Sequence, residues 1–370
     1  MLILQADRDD LLKPLSAVTG IVERRHTLPI LANVLIQKRG NTVSFLATDL
    51  EIQVTTASPD TIVGPDFSLT TSAKKLQDIL RAIPEHSTVS FEHEDNRLSV
   101  KAGRSRFQLQ TLPADDFPLL AVNQQAQAQL TLSQKVFKDL LSQVQYAMAV
   151  QDIRYYLNGM MFIMAGDQVK LVATDGHRLA YANTTLQVDY PTSHAEAILP
   201  RKTILELTKQ LSDHDEPLLI ELLGNQVRFS FGASVVVSKV VDGKFPDYNR
   251  VIPLDNDKIF LIDRQELQHA LQRAAILANE KFRGVRLMLE PGKLSVMCNN
   301  SEQEEAQEEL EIEYEGDTLE IGFNINYLLD VLNHVSVDTV QIACGDPNRS
   351  ALFTIPDNPN FKYIVMPMRI

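Results

Sequence analysis

Two cysteines, Cys298 and Cys344, are all that this chain of 370 residues carries. They are too few for a disulfide framework or a thiolate-bound metal, fit a reducing compartment, and are expected in the core. No apolar run approaches the roughly 18 residues that a membrane span needs. The stretch from Met1 to Lys13 lacks the basic flank and apolar run of a secretory signal, so a cytoplasmic location and no membrane partner are expected. The signatures of common chemistries are missing too: no Gly-x-Gly-x-x-Gly, no P-loop ending in Gly-Lys-Ser/Thr, no Gly-x-Ser-x-Gly and no His-Glu-x-x-His. Dinucleotide binding, phosphoryl transfer, acyl transfer and zinc hydrolysis lose their usual motifs, and no cofactor is expected.

What is present reads as an ordinary folded chain. Hydrophobic residues make up 44% and charged residues 22%, close to the globular average, and the length predicts two to three domains. The net charge of -13 argues against a polyanionic partner. Its distribution reverses that argument. Residues 1–123 carry 13 basic and 15 acidic side chains, 124–250 carry 12 and 13, and 251–370 carry 10 and 20. Ten of the acids lie between Glu302 and Glu320, with no Lys or Arg among them, so the acidity is largely one local run.

An internal repeat organises the chain. The segment Val43-Ser44-Phe45-Leu46-Ala47-Thr48-Asp49 returns as Val169-Lys170-Leu171-Val172-Ala173-Thr174-Asp175, a spacing of 169 − 43 = 126. A weaker echo, Leu294-Ser295-Val296-Met297-Cys298-Asn299-Asn300, follows after 294 − 169 = 125. Helical faces repeat with the same period: Leu11, Leu15, Val18 and Val22; Phe137, Leu140, Leu141 and Val144; Leu267, Leu271, Ala274 and Ala278. Asp263 and Glu266 have capping-box spacing. A second helix is predicted in each third over Leu76, Ile79, Leu80 and Ile83, over Ile204, Leu207 and Leu211, and over Leu328, Val331, Leu332 and Val335. Ser72, Pro200 and Asn324 stand where caps or a first-turn proline belong. Alternating runs such as Phe107 to Thr111 and Val227 to Phe231 predict half-buried antiparallel strands. The expected class is α+β: three repeated domains, 1–123, 124–250 and 251–370, each with two helices and antiparallel sheets. A linker is expected at Asn123 to Gln127.

The most enzyme-like cluster is Thr174-Asp175-Gly176-His177-Arg178. Asp175 and His177 on one strand face would begin a metal site for a hydrolase, but two ligands do not complete one. The competing reading is a strand that leaves its sheet through a glycine turn. A repeat scaffold that binds proteins only is a third possibility.

The repeat, the paired Ala-Thr-Asp segments, Arg154-Tyr155-Tyr156-Leu157-Asn158-Gly159, Asp175-Gly176-His177-Arg178-Leu179, Asn279-Glu280-Lys281-Phe282-Arg283-Gly284 and Met366-Pro367-Met368-Arg369-Ile370 together closely resemble one family over the whole chain. That family is the bacterial DNA sliding clamp, the beta subunit of DNA polymerase III. The resemblance implies a head-to-tail homodimer forming a six-domain ring around double-stranded DNA, with helices lining the hole, no catalysis, and a role in tethering the replicative polymerase. It implies DNA contacts at Arg25, Gln151, Arg154, Tyr155, Tyr156 and Lys202. It implies a groove for short peptides of the polymerase III alpha subunit, the clamp loader delta subunit, other polymerases, ligase and mismatch-repair proteins. The matching groove positions are Leu157, Thr174, Gly176, His177, Arg178, Leu179, Pro246, Arg250, Val251, Ile364, Val365, Met366, Pro367, Met368 and Arg369. Asn249 and Ile370 depart from the commoner Arg and Leu. The implied dimer seam has Lys75, Phe107, Leu109, Arg273, Ile276 and Leu277, with Glu302 and Glu304 offering opposite charge. Basic side chains on or beside the helices, among them Lys13, Lys74, Arg81, Lys135, Lys138, Arg201, Lys209 and Arg264, would face the DNA. The last helix has none.

Overall fold

The computed structural model describes every residue except 24–27, 60–61, 63, 122–124, 187–191 and 370. Arg25, Ile370 and part of the expected linker therefore lie outside the described residues. In chain order the elements are β1 (Leu2–Asp7), α1 (Arg8–Thr19), β2 (Asn33–Arg39), β3 (Thr42–Thr48), β4 (Ile52–Ala57), β5 (Phe67–Ser72), α2 (Ala73–Ala82), β6 (Thr88–Glu94), β7 (Arg97–Ala102) and β8 (Ser105–Leu112). Next come β9 (Ala128–Ser133), α3 (Gln134–Val144), β10 (Gly159–Gly166), β11 (Gln168–Thr174), β12 (Arg178–Thr185), β13 (Thr192–Pro200), α4 (Arg201–Gln210), β14 (Pro217–Leu222), β15 (Gln226–Phe231) and β16 (Ser234–Lys239). The last are β17 (Lys258–Asp263), α5 (Arg264–Ala274), β18 (Gly284–Glu290), β19 (Lys293–Asn299), β20 (Glu305–Glu311), β21 (Leu319–Asn324), α6 (Ile325–His334), β22 (Thr339–Cys344), β23 (Ala351–Ile355) and β24 (Asn358–Val365). No helix among the described residues is long and apolar enough to cross a membrane.

The helices form where the apolar period places them. In α1 the Asp7 carboxylate accepts from the Asp9 amide at 2.8 Å, while Leu11, Leu15 and Val18 are buried. In α5 the Asp263 carboxylate accepts from the Glu266 amide at 2.8 Å, and in α6 Asn324 caps through the Asn326 amide at 3.0 Å. The expected faces overrun the helix ends. Ile83, Leu211, Ala278 and Val335 lie just past their helices yet stay buried, because the apolar stripe continues into chain packed on the same core. Val22 also falls outside α1 and is half-buried. Ser72 stands at the start of α2 without a capping side-chain bond, and Pro200 ends β13 ahead of α4 instead of entering its first turn.

The chain divides into two compact units, Met1–Val136 with Leu205–Val240, and Phe137–Ile204 with Val241–Ile370. The first holds a twelve-stranded sheet ordered β1-β6-β7-β8-β5-β2-β3-β4-β16-β15-β14-β9. It runs from the first repeat into the second through β4 and β16, which pair from Ser234↔Thr56 to Ser238↔Ile52. The second unit holds an eight-stranded sheet, β13-β10-β11-β12-β24-β23-β22-β17, and a four-stranded one, β20-β19-β18-β21. Both cysteines are buried, and burial pushes their thiols up, Cys298 to about 11 and Cys344 to about 12.

The repeated Thr-Asp pair has a structural cause. In the first copy the Thr48 hydroxyl donates to the Ile52 carbonyl at 2.9 Å and accepts from the Leu50 amide at 3.1 Å. The Asp49 carboxylate takes the amides of Glu51 and Ile52. In the second copy Thr174 bonds the Arg178 carbonyl at 2.6 Å and the Gly176 amide at 3.1 Å. Asp175 takes the amides of His177 and Arg178. In the third, Asn300 takes the amides of Glu302 and Glu304. The motif is thus the closure of one recurring turn between strands.

Candidate functional site

That turn settles the competing readings of Asp175 and His177. Neither lies on a strand: β11 ends at Thr174 and β12 begins at Arg178. One Asp175 carboxylate oxygen is held by two turn amides and the other by Arg178 Nε at 3.1 Å. Among the described residues the one His/Cys/Asp/Glu group compact enough for a metal is Asp7, Asp9 and His86, far along the chain from this turn.

In the second unit the turn borders an apolar floor. Leu179 of β12 pairs with Ile364 of β24. Across the same face follow Val172, Met161 and Ile198 of β11, β10 and β13. Leu157, Ala149, Ile163, Tyr181 and Phe245 complete the buried cluster, and Tyr156, Tyr248, Val241, Ile252 and Leu352 pack half-buried against it. Of the predicted groove residues, Leu157, Leu179 and Ile364 form this floor. Thr174, Gly176 and His177 form the turn at its edge. Met366 is 46% exposed and is tied to that turn by its amide bonding the His177 carbonyl at 2.9 Å. Val365 is buried on the opposite sheet face, level with Arg178. Pro246, Arg250 and Val251 are exposed on the loop after Phe245, and Arg250 pairs with Asp247 at 2.9 Å.

Besides Val365, two predicted members sit elsewhere. After the half-buried Pro367, the Met368 amide bonds Gly322 at 2.8 Å. Met368 and Arg369 then line a separate cavity of about 430 Å³ with Phe282, Asn279 and Asn300. The residues that sequence reading missed, Phe245, Tyr248, Tyr181 and Met161, come from three separate segments. Alternation along β12 was a signal for Tyr181; nothing local marks the others.

Arg178 is a buried staple, its side chain only 10% exposed. It reaches Asp330 of α6, Asp175, and the Tyr146 carbonyl at 2.7 Å, and it stacks 4.5 Å from the Tyr327 ring centroid. Burial also pushes the phenols of Tyr146 and Tyr363 around it well up. The guanidinium holds β12 against α6 and presents little surface to a ligand.

The predicted nucleic-acid residues Gln151, Arg154, Tyr155 and Tyr156 share one loop. Tyr155 is 57% exposed, whereas Tyr156 leans on the apolar cluster, edge to face with Tyr155 at 5.9 Å. Lys202 lies half-buried in the first turn of α4, next to Arg201, whose amide bonds the Asn158 carbonyl at 3.1 Å. Arg154 bonds Asp152 through Nε at 3.0 Å and the Asp175 carbonyl at 3.1 Å. Its hydrogen bonds hold the Asp152 carboxyl down to about 2. That contribution is present above the ordinary carboxylate range and lost only as pH falls toward 2. Gly176, at φ +90°, leaves room for this arginine: a Cβ there would lie 2.9 Å from both terminal guanidinium nitrogens. Replacing Gly176 by Ala therefore costs about 1–2 kcal/mol of backbone strain and expels Arg154. Thermal melting and faster proteolysis within 151–156 check this; an unchanged cleavage pattern counts against it.

The predicted seam residues form two patches. In the first unit Lys75 is exposed on α2, and Phe107 and Leu109 share one face of β8. The edge of β8 away from β7 meets β5 only at Thr111 and Leu112. In the second unit Ile276 is 77% exposed and is followed by half-buried Leu277, while Glu302 and Glu304, ahead of β20, are exposed. Arg273 is engaged within the chain by both oxygens of Glu308, at 2.9 and 2.6 Å. β20 pairs only with β19 among the described strands. Arg264, expected to face DNA, instead caps the end of α6 by bonding the carbonyls of Leu332 and Val337 at 3.0 and 2.8 Å.

Family models described as the N-terminal, central and C-terminal domains of the DNA polymerase III beta subunit match residues 2–121, 131–247 and 249–369. The chain is 45% identical to the beta sliding clamp of Pseudomonas aeruginosa over 98% of both chains. It is 43% identical to that of Escherichia coli K12 over 98% of this chain and 99% of that one. A crystal structure of the Pseudomonas aeruginosa DNA polymerase III subunit beta aligns over 100% of both chains with a TM-score of 0.95 and 44% identity. A sliding clamp from the same organism bound to griselimycin gives the same values.

Proposed function

The chain belongs to the DNA polymerase III beta subunit family, the bacterial sliding clamps, and from that membership we propose how its residues divide the work. It is a processivity subunit with no catalysis of its own, holding the replicative polymerase and other DNA-processing proteins on duplex DNA. Three clamp domains, 1–123, 124–250 and 251–370, curve in each of two protomers into a closed ring, and the protein works in the cytoplasm. Long basic side chains touch phosphates without reading bases, so no sequence becomes a trap. Closure, not affinity, retains the DNA.

One observation carries this reading: a single chain bears two unpaired strand edges of opposite charge. β8 carries Arg106 and follows Arg104, and β20 carries Glu305, Glu308, Glu309 and Glu311. Beside them lie apolar Phe107 and Leu109, and Ile276 and Leu277. Antiparallel addition of β8 to the β20 of a second copy satisfies both edges and is heterologous, so two copies close head to tail. Lys75, Arg273, Glu302 and Glu304 form the charged rim. In the second unit the floor around Leu157, Leu179 and Ile364, with Thr174, Gly176, His177, Pro246, Arg250, Val251 and Met366 at its margin, takes apolar anchors of partner peptides. The flexible thioether of Met366 adapts to different ones. Gln151, Arg154, Tyr155, Tyr156, Lys202 and Arg25 touch DNA.

Loading onto nicked circular DNA, followed by linearisation, tests the ring. The protein stays on the circle at salt that screens phosphate contacts and slides off once ends exist. Equal loss from both templates overturns the ring.

A further inference from the structure

Resting on the groove just assigned, we propose that the sheet face beyond it is a cationic subsite for acidic residues flanking the apolar anchors of partner peptides. Side chains alternate across a strand, so Tyr181 and Asn183 follow Leu179 on one face of β12. Tyr181 pairs across to Lys362 of β24, and Asn183 to Lys170 of β11. One two-residue step, about 7 Å, therefore carries the surface from Leu179 to the level of Lys362, and a second step to that of Lys170. Lys362 Nζ lies 5.6 Å from the Tyr181 ring centroid, and Tyr248 packs over the same ring at 5.9 Å. The two tyrosines end the groove and give the lysines a partly apolar setting, where an ion pair is stronger than in open water.

Charge is the second argument. Among the described residues no carboxylate pairs with Lys170 or Lys362, as none does with Lys13, Lys75 or Lys135; the acid in the same cross-strand row, Glu196 of β13, is separated from Lys170 by Ile163 and lies 3.7 Å from His194. On a chain of net charge -13, two unpaired lysines continuous with an apolar groove make a local attraction for anions. DNA is the poorer occupant, because sequence-independent binding needs many phosphate contacts and two lysines supply few. An acidic stretch covalently tied to groove anchors needs only these two, since the anchors already hold it in place.

The test uses fluorescein-labelled peptides sharing one Leu-Leu-Phe core, extended at either end by three aspartates or three asparagines. Anisotropy titrations are run on the full-length protein and on the Lys170→Gln and Lys362→Gln double variant. For one of the two extensions, the aspartate peptide binds the unsubstituted protein about five- to tenfold tighter at low salt, as expected for two exposed ion pairs. That ratio falls to about one in the double variant and at high salt, while the asparagine peptide binds both proteins alike. A ratio unchanged by the substitutions overturns the proposal. So does equal weakening of both peptides, or a variant that loses retention on circular DNA instead of peptide affinity. If no peptide binds the unsubstituted protein, the groove reading fails and takes the subsite with it; if all bind equally, only the subsite fails.

Discussion

Replacing Arg178 by Ala lowers the melting temperature of the second unit by about 6–12 °C, corresponding to about 3 kcal/mol. The side chain is 10% exposed and its partner Asp330 35% exposed, which puts the loss at the lower end for a broken buried pair. The cost lies in what stays behind. Asp175 and Asp330 keep their charges without a cation, the Tyr146 carbonyl loses a donor, and the Tyr327 ring loses its stacked guanidinium. Asp330→Asn keeps an acceptor and removes one charge, so it costs less, about 1 kcal/mol. Adding Asp330→Asn to Arg178→Ala recovers part of the loss, since one stranded charge is gone. Calorimetry of the four proteins checks the cycle. An Arg178→Ala protein melting within about 2 °C of the parent means that the staple contributes little. Because Arg178 follows His177 and precedes Leu179, the same variant also loosens the groove floor and weakens partner peptides.

Ile276→Asp is the second large effect. An exposed isoleucine beside Leu277 becomes a carboxylate that must be buried without a partner when two chains meet. Such burial costs about 4 kcal/mol, or roughly a thousandfold in dissociation constant. Light scattering then finds chains of 41.5 kDa in place of 2 × 41.5 = 83 kDa, and the protein is lost from circular DNA as fast as from linear DNA. Leu109 on β8, by contrast, is already buried within its own protomer, so an aspartate there disturbs the chain itself and does not isolate the seam. Folding of each chain is untouched by Ile276→Asp, since Ile276 packs against little within its own protomer. A variant that remains at 83 kDa and stays on circles shows that the seam lies elsewhere.

The threefold repeat, the six helical faces and the closing turns depend on contacts between residues a few positions apart, so they are written into local order. Thr174 bonds a carbonyl four residues on, and Asp175 two amides within three residues; the same letters at Thr48 and Asp49 make the same turn. The apolar stripe past each helix was also visible, but its end was not. Tertiary packing buries Ile83 or Ala278 as well in extended chain as in helix, and periodicity cannot distinguish the two.

What lay beyond the sequence is what joins distant segments. The Arg178 to Asp330 contact spans 152 residues, and the groove floor gathers side chains from Ala149 to Ile364. Arg264 and Arg178 look alike as surface cations in a linear reading. Yet one closes a helix end and the other is buried, because only the folded chain decides which carbonyls and carboxylates come within reach. Local chemistry thus determined the three repeats, their helices and their turns. Long-range strand pairing decided where two repeats share a sheet, which side chains make a floor, and which charges remain for a partner.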